Sequence, residues 1–324
     1  MTMSHRKAVA MLVAASLMWS IAGVVSRHFE SARGFEVTFW RSSFNAMALV
    51  PLLLWYRGPA ALRATLLGGG RALWLSGVCW GVMYTAFMIA LSLTSVANVL
   101  VTMAIGPLLT ALLARLVLGH RLAARTWGAI ALAGAGIGWM YGQELSGASP
   151  QHSLGVAVAL AVPVASAINW TLLQHQKGRA DAPDMLGAVL IGAVLSALAT
   201  LPLALPFAAS PRDLSLLALL GTVQLAIPCL MAVAVARVLS APEISLLGLL
   251  EVVFGVLWVW LGAGEAPSAA VISGGALVLG ALVGNELLAL RRVALPELPG
   301  DKLLPSTPSQ PNRDVEPVVA SRRP

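Results

Sequence analysis

Long apolar runs separated by short polar segments are the dominant pattern along this chain. A helix needs about 20 apolar residues to cross about 30 Å of hydrocarbon. The runs near that length, numbered here as spans one to ten, cover residues 8–26, 35–56, 72–93, 96–118, 126–142, 154–173, 185–205, 214–236, 240–262 and 268–290. The pattern therefore predicts an all-α integral membrane protein with ten transmembrane helices, joined by short loops and without a soluble domain.

The two halves of the chain, residues 8–142 and 153–290, share a sparse series of marked positions. At near-constant shifts, the aligned pairs include Trp19 with Trp170, Pro51 with Pro202, Gly119 with Gly264, and Gly134 with Gly280. Because each half has an odd number of spans, the second half enters the membrane from the opposite side. The sequence therefore predicts two inverted five-helix repeats, an arrangement typical of secondary transporters with a ligand site near the bilayer midplane.

Composition and charge agree with a membrane protein. The chain is 58% hydrophobic and 11% charged, which is too apolar for one soluble core, so the lipid bilayer is its solvent. Cytoplasmic loops carry an excess of Lys and Arg, and with the N-terminus inside, the outer loops hold only Arg27, Arg33 and Arg212. We therefore expect both termini in the cytoplasm of a cell (inner) membrane protein. The net charge of +7 follows from this topology and needs no nucleic-acid partner.

The remaining composition predicts a tail and excludes several kinds of site. Residues 293–324 are rich in proline and polar residues, which predicts a disordered cytoplasmic tail. The histidines fall at termini and loop edges, while Cys79 and Cys229 lie in separate apolar spans. We therefore expect no metal site, disulfide or cofactor.

Glu251 is the most informative single residue, because it lies midway along span nine, about 16 Å from either surface. A carboxylate at that depth must be neutralised, paired or exposed to a wet cavity. Two interpretations stay open: a coupling group or substrate contact, and a structural partner of a buried cation. Arg41, about 9 Å below the outer surface in span two, is the candidate partner, although its long side chain could also snorkel to the interface.

Further polar and aromatic residues inside the spans are candidates for a substrate cavity. Trp19 and Trp170 are related by the repeat and lie away from the interface belt where tryptophan usually collects. Their buried indoles need hydrogen-bond acceptors, which Ser20, Asn169, Thr171 or a substrate could supply. The cavity candidates are Trp19, Trp80, Tyr84, Asn98, Trp170, Gln224 and Glu251. For the aromatic stripe that includes Trp80 and Tyr84, ordinary helix packing is the alternative.

Small-residue motifs occur in spans five and ten. Gly134-x-x-x-Gly138 and Gly280-x-x-x-Gly284 give each span a face that permits close approach of another backbone. This face predicts packing within the chain or, alternatively, the seam of a homodimer.

The ordered set of these marks resembles the EamA-type, ten-helix branch of the drug/metabolite transporter superfamily. The resemblance covers about residues 8–290. It rests on Trp19-Ser20 with its echo Trp170-Thr171, Arg41, Ala90-Leu91 to Asn98, Gly106-Pro107, Leu118-Gly119, Leu250-Glu251 and Gly264-Glu265. Two departures are Val252, where the family usually has proline, and His120, where it usually has glutamate. The resemblance implies a basket of ten helices around a central cavity, and members that export amino acids, metabolites or drugs.

These observations predict a secondary transporter, with export as the expected direction, that moves small polar or amphipathic metabolites by alternating access. A membrane scaffold that kept the fold and lost transport is the alternative from another class. A membrane-embedded enzyme is the third, but the aspartates fall in loops or the tail and no HExxH, GxSxG or phosphate-binding pattern occurs. We therefore expect no enzymatic activity.

Overall fold

All regular structure in the described part of the chain is helical, which confirms the predicted fold class. The computed structural model describes residues 3–94, 96–119, 122–141, 150–177, 179, 182–263 and 269–294. The helices are α1 His5–Trp19, α2 Ala22–Ser26, α3 Gly34–Arg57, α4 Pro59–Gly68, α5 Gly70–Leu93, α6 Val96–Met103, α7 Gly106–Leu118, α8 Ala124–Tyr141, α9 Pro150–Gln176, α10 Leu186–Ala204, α11 Pro211–Leu219, α12 Ile227–Val235, α13 Ala241–Gly248, α14 Leu250–Ala263 and α15 Ala269–Ala294. Except for its first two residues, the predicted disordered tail lies outside the described part.

The outside of the bundle is apolar, as a lipid-facing surface must be. Large side chains such as Leu116 and Leu198 are 79% and 62% exposed. Six described segments are long and apolar enough to cross a membrane: His5–Ser26, Gly34–Arg57, Gly70–Leu93, Leu154–Gln176, Leu186–Ala204 and Pro211–Val235. Shorter apolar helices cover Gly106–Leu118 and Ile272–Asn285. The chain is therefore a multi-pass membrane protein, and helix occupies each of the ten predicted segments.

Four of the spans are not the continuous α-helices that the sequence pattern predicts. Span one divides into α1 and α2, span four into α6 and α7, and span nine into α13 and α14. In span four, Pro107 stands in the first turn of α7, where its missing N–H is tolerated. In span nine the break has no proline; instead the amide of Val252 bonds back three residues to Leu249 at 3.0 Å, which tightens the turn.

Span eight contains a π-helical segment, Leu220–Ala226, between α11 and α12. Gly221 lies in this segment against the backbone of α3. A β-carbon at position 221 would lie 2.7 Å from the carbonyl oxygen of Arg41 and 2.7 Å from the amide nitrogen of Asn45. Only glycine permits this approach, and single-turn π segments frequently occur at functional sites.

The helix contacts occur in pairs. Helix α3 packs on α10, α8 on α15, and α7 on α13. The contact of α5 with α10 has its counterpart between span eight and α3, and the contact of α5 with α9 has its counterpart between α1 and α12. In each pair, the second contact follows from the first when both spans are replaced by the spans five places away in the chain.

The glycine faces of spans five and ten differ from the prediction that they pack within the chain. A β-carbon on Gly134, Gly138, Gly280 or Gly284 would meet no atom within 4 Å. The close approach of α8 to α15 is made instead at Gly136, where a β-carbon would lie 2.7 Å from the carbonyl oxygen of Gly274. The predicted glycines lie on a different helix face, so packing within the chain does not account for them. The homodimer seam stays a prediction.

One end of the bundle is held by two buried carboxylates. Asp213 accepts hydrogen bonds from the backbone amides of Glu30, Ser31 and Ala32, at 2.7, 3.0 and 2.9 Å. In the same region, Glu36 accepts the amides of residues 208 and 209 at 2.9 and 2.8 Å. The loop after span one is thereby tied to the start of span eight, and the loop before span eight to the start of span two.

Candidate functional site

A cavity of about 140 Å³ lies in the middle of the bundle. It is lined by spans one to four, six, eight and nine. The sequence-predicted residues on its wall are Trp19, Arg41, Trp80, Tyr84, Trp170, Gln224 and Glu251. The side chain of Asn98 lies outside the described part of the chain, so its place relative to the cavity is not assigned.

Arg41 is the buried cation of this cavity. It is 2% exposed, and its Nε and Nη2 atoms donate to Oε1 of Gln224 at 3.2 and 2.9 Å. The guanidinium carbon lies 5.8 Å from the ring centre of Phe87, a cation–π distance. Snorkelling, the alternative from the sequence, is therefore wrong, because the side chain turns into the bundle.

Gln224 connects Arg41 with the break in span one. Its Nε2 donates to the carbonyl oxygen of Trp19 at 3.0 Å, and Trp19 is the last residue of α1. A carbonyl at a helix end lacks its intrahelical partner, so the amide satisfies it. The close approach of Gly221 to α3 brings the Gln224 side chain within reach of Arg41.

The aromatic wall consists of Trp80, Tyr84 and Trp170. The rings of Trp80 and Trp170 meet edge to face with centroids 5.5 Å apart, and Trp80 lies 5.6 Å from Tyr84. The aromatic residues on α5 therefore both pack against neighbouring rings and line the cavity. From the sequence alone, these two roles were alternatives. Among the described residues, the buried indole Nε1 of Trp80 and the buried Nη1 of Arg41 have no hydrogen-bond partner.

Two of the three side-chain acceptors proposed for the indoles of Trp19 and Trp170 have other donors. Ser20 Oγ accepts the indole N–H of Trp258 at 3.0 Å, and Asn169 Oδ1 accepts the hydroxyl of Ser76 at 2.6 Å. The third, Thr171 Oγ1, is buried without a partner among the described residues.

Glu251 lies in the first turn of α14, on the cavity wall. The amides at a helix N-terminus and the helix dipole stabilise a negative charge, which explains how a carboxylate is tolerated at this depth. The described structure has no direct ion pair between Glu251 and Arg41. Both side chains line the cavity, and their opposite charges attract each other across it.

Sequence reasoning missed several members of the wall. They include Met83, Met103, Ser166, Cys229 and Ser245. Phe87, which continues the aromatic stripe of span three beyond Tyr84, also lies on the wall. Ser166 could have been found, because it lies about one helical turn from Trp170. Ser245 carried no such signal, since the break after Gly248 determines which face of span nine meets the cavity.

The described residues contain no group of three or more His, Cys, Asp or Glu side chains able to hold a metal ion. The cavity instead offers a cation, a carboxylate, two unpartnered N–H donors and aromatic faces. This set can bind a small organic molecule that has both a polar and an apolar part.

Comparison with known proteins agrees with this architecture. Residues 6–142 match the EamA-like transporter family. This family consists of membrane transporters of the drug/metabolite transporter superfamily, so the resemblance drawn from the sequence is confirmed over the matched residues.

A solved structure shares the fold over most of the chain. This structure, titled "Crystal structure of protein", has a TM-score of 0.71 and 21% sequence identity, covering 89% of this chain and 99% of its own. At this identity the likeness shows the fold alone. The search of the curated proteins finds no match.

Proposed function

We propose that this protein is a secondary transporter that moves a small amphipathic metabolite through the central cavity by alternating access, in the direction of export. The carrying observation is the cavity itself, where a buried cation and a carboxylate lie beside aromatic faces at the middle of a membrane bundle. Charged groups at this depth are costly and usually mark a substrate or ion pathway.

The unpartnered donors indicate which chemical group the substrate carries. Nη1 of Arg41 and Nε1 of Trp80 both lack a partner and are buried, and a buried donor left unsatisfied costs about 1–3 kcal/mol. A carboxylate or another strong acceptor on the substrate would satisfy both. Glu251 suits a positive or donating group on the same molecule, and the indoles suit an apolar part. Amino acids and related compounds combine these features.

The paired helix contacts support an inverted repeat as the basis of alternating access. A pseudo-two-fold axis that exchanges the halves 8–142 and 153–290 would convert each observed contact into its counterpart. The breaks in spans four and nine also correspond, because they occur near Ala104 and Leu249, residues related by the shift that aligns Ser95 with Ser240. Rocking of one half against the other around a fixed midplane site is the motion that such repeats perform.

Both termini are expected in the cytoplasm, on the distribution of Lys and Arg between the two ends of the bundle. Reporter domains fused at Gly147 and at Arg313 should report the outside and the inside of the cell, respectively. If both fusions report the same side, the proposed topology and the inverted repeat fail together.

Purified protein in liposomes should show saturable flux of at least one amino acid or amphipathic metabolite that also raises its melting temperature by mass action. Trp170→Ala removes an aromatic face from the cavity and should raise KM about tenfold. Trp55→Ala is the matched control, because Trp55 is 86% exposed and far along α3 from the cavity-lining Arg41.

If the two substitutions change KM equally, the substrate does not bind in the central cavity. A protein that binds such solutes but moves none of them would instead be a scaffold or sensor with a transporter fold. Both outcomes are distinguishable from misfolding if the melting temperature of each variant is measured without ligand.

A further inference from the structure

A second polar site, away from the central cavity, lies at the end of the bundle where spans two and eight end. A cleft of about 440 Å³ is lined there by Arg57, Lys177, Arg179, Asp184 and Arg237, which we call the basic cleft. Spans two and six, the loop after span six and the end of span eight all contribute to it. None of these residues contacts the central cavity.

The charges of the basic cleft do not balance. Asp184 is ion-paired with Arg57 at 2.7 Å and with Arg237 at 3.2 Å. Lys177 donates to the carbonyl oxygen of Val238 at 2.9 Å, which holds its ammonium group at the same end of span eight. Arg57, Lys177 and Arg237 carry three positive charges around the one carboxylate of Asp184, so an anion would be attracted to this part of the cleft.

The inner wall of the basic cleft is apolar. Leu173, Met185 and Val233 line it. These side chains are buried in the core of the bundle, so they close the cleft on its inner side and leave the charged residues at its mouth.

The depth of the basic cleft matches the headgroup layer of a bilayer. Trp55 and Tyr56, which precede Arg57 in α3, are 86% and 66% exposed on the outside of the bundle. Exposed Trp and Tyr collect at the membrane–water interface. The Tyr56 ring centre lies 5.0 Å from the guanidinium carbon of Arg57, so the cleft opens at the level of these aromatic rings.

We propose that the basic cleft binds the phosphate-bearing headgroup of an anionic phospholipid. Arg237 and its neighbouring cations hold the phosphate diester, while the acyl chains remain in the bilayer at the level of Trp55 and Tyr56. Basic pockets between transmembrane helices bind anionic headgroups in this way. The bound lipid joins the end of span eight to the loop after span six.

The test uses the full-length protein, purified in a neutral detergent and stripped of lipid, with phosphatidylglycerol as the probe. Phosphatidylglycerol should raise the melting temperature of the parent protein, and native mass spectrometry should show a retained lipid. Phosphatidylcholine, which carries no net charge, should do neither. Arg237→Gln should weaken phosphatidylglycerol binding about fivefold, since one cation near the membrane surface contributes about 1 kcal/mol to such binding.

Arg212→Gln is the matched control. Arg212 is also ion-paired, to Glu30 at 3.0 Å, and its side chain is 59% exposed compared with 62% for Arg237, but it lies at the opposite end of the bundle. We expect this variant to bind phosphatidylglycerol like the parent. Because each shift is measured against the same variant without lipid, a general loss of stability does not imitate the result.

Two outcomes would overturn the proposal. Equal weakening by Arg237→Gln and Arg212→Gln would show that phosphatidylglycerol acts through overall charge and not through the basic cleft. An equal shift with inorganic phosphate at the same phosphate concentration would assign the cleft to a soluble anion instead of a lipid.

Discussion

Replacing Asp213 by alanine is expected to lower the free energy of unfolding by at least about 3 kcal/mol. The buried carboxylate accepts from the amides of Glu30, Ser31, Ala32 and Ser210 and from the Ser31 hydroxyl. A methyl group accepts none of these bonds. Each buried donor without an acceptor costs about 1–3 kcal/mol, and bonds to a charged acceptor are the stronger ones.

Unfolding in detergent micelles, followed by tryptophan fluorescence, measures this loss. Asp213→Asn should fall between the parent and the alanine variant, because the amide keeps one acceptor oxygen but turns an NH₂ group towards amide donors. Glu30→Gln is the control, since the ion pair of Glu30 with Arg212 is half-exposed and should be worth less than about 1 kcal/mol. If Asp213→Ala is as stable as Glu30→Gln, the carboxylate does not hold these loops together.

Asp213 also shows what the sequence could not reveal. Hydropathy placed it in a loop before span eight, whereas the structure places it in the first turn of α11, and hydropathy says nothing of its partners. The run Ser210-Pro-Arg-Asp213 is a capping-box sequence, and the structure has that box. The contact with residues 30 to 32 joins segments far apart in the chain, and no local pattern predicts such a contact.

The positions of the apolar helical segments were predictable because the hydrophobic thickness of a bilayer imposes one length on every crossing helix. The breaks inside spans one and nine were not predictable, because they do not depend on proline. In span nine the break coincides with a bond that reaches back three residues instead of four, from Val252 to Leu249. The π-helical segment of span eight likewise depends on Gly221 meeting α3, a tertiary contact.

The charged and polar cavity residues were predictable because placing such side chains inside a membrane span costs free energy. Glu251, Arg41 and Gln224 stand out in any apolar span, and the structure places all three on one cavity wall. The pairing was predicted less well. The guanidinium of Arg41 bonds to the neutral Gln224 and not to Glu251, because the π-helical segment brings Gln224 nearer, and such a register shift is not encoded in the spacing of polar residues.

The largest functional effect is expected from the two opposite charges of the cavity. Arg41→Met and Glu251→Gln should each lower the rate of flux at least about tenfold, because each removes one of the groups that would orient a substrate with two polar ends. Each should also destabilise the protein, since the remaining charge loses the opposite charge that compensates it across the cavity. The helix N-terminus at Glu251 and the amide at Arg41 limit this loss.

The double variant separates pairing from independent roles. With both charges absent, neither is left uncompensated, so the double variant should be more stable than the sum of the two single losses predicts, by about 1 kcal/mol. Flux should not recover, because the substrate contacts are missing as well. The measurements are unfolding in detergent and flux in liposomes, on the parent, both single variants and the double variant.

The control is a second double-mutant cycle, in which Glu243→Gln takes the place of Glu251→Gln beside Arg41→Met. Glu243 is a carboxylate in the same span, but it caps α13, accepting the amide of Ser240 at 2.7 Å, and does not line the cavity. Its effect and that of Arg41→Met should therefore add to within about 0.5 kcal/mol. Additivity in both cycles would mean that Arg41 and Glu251 do not compensate each other. In that case the N-terminus of α14 alone would stabilise the carboxylate at the midplane. Unchanged flux in the Arg41→Met variant would show that the guanidinium does not bind the substrate.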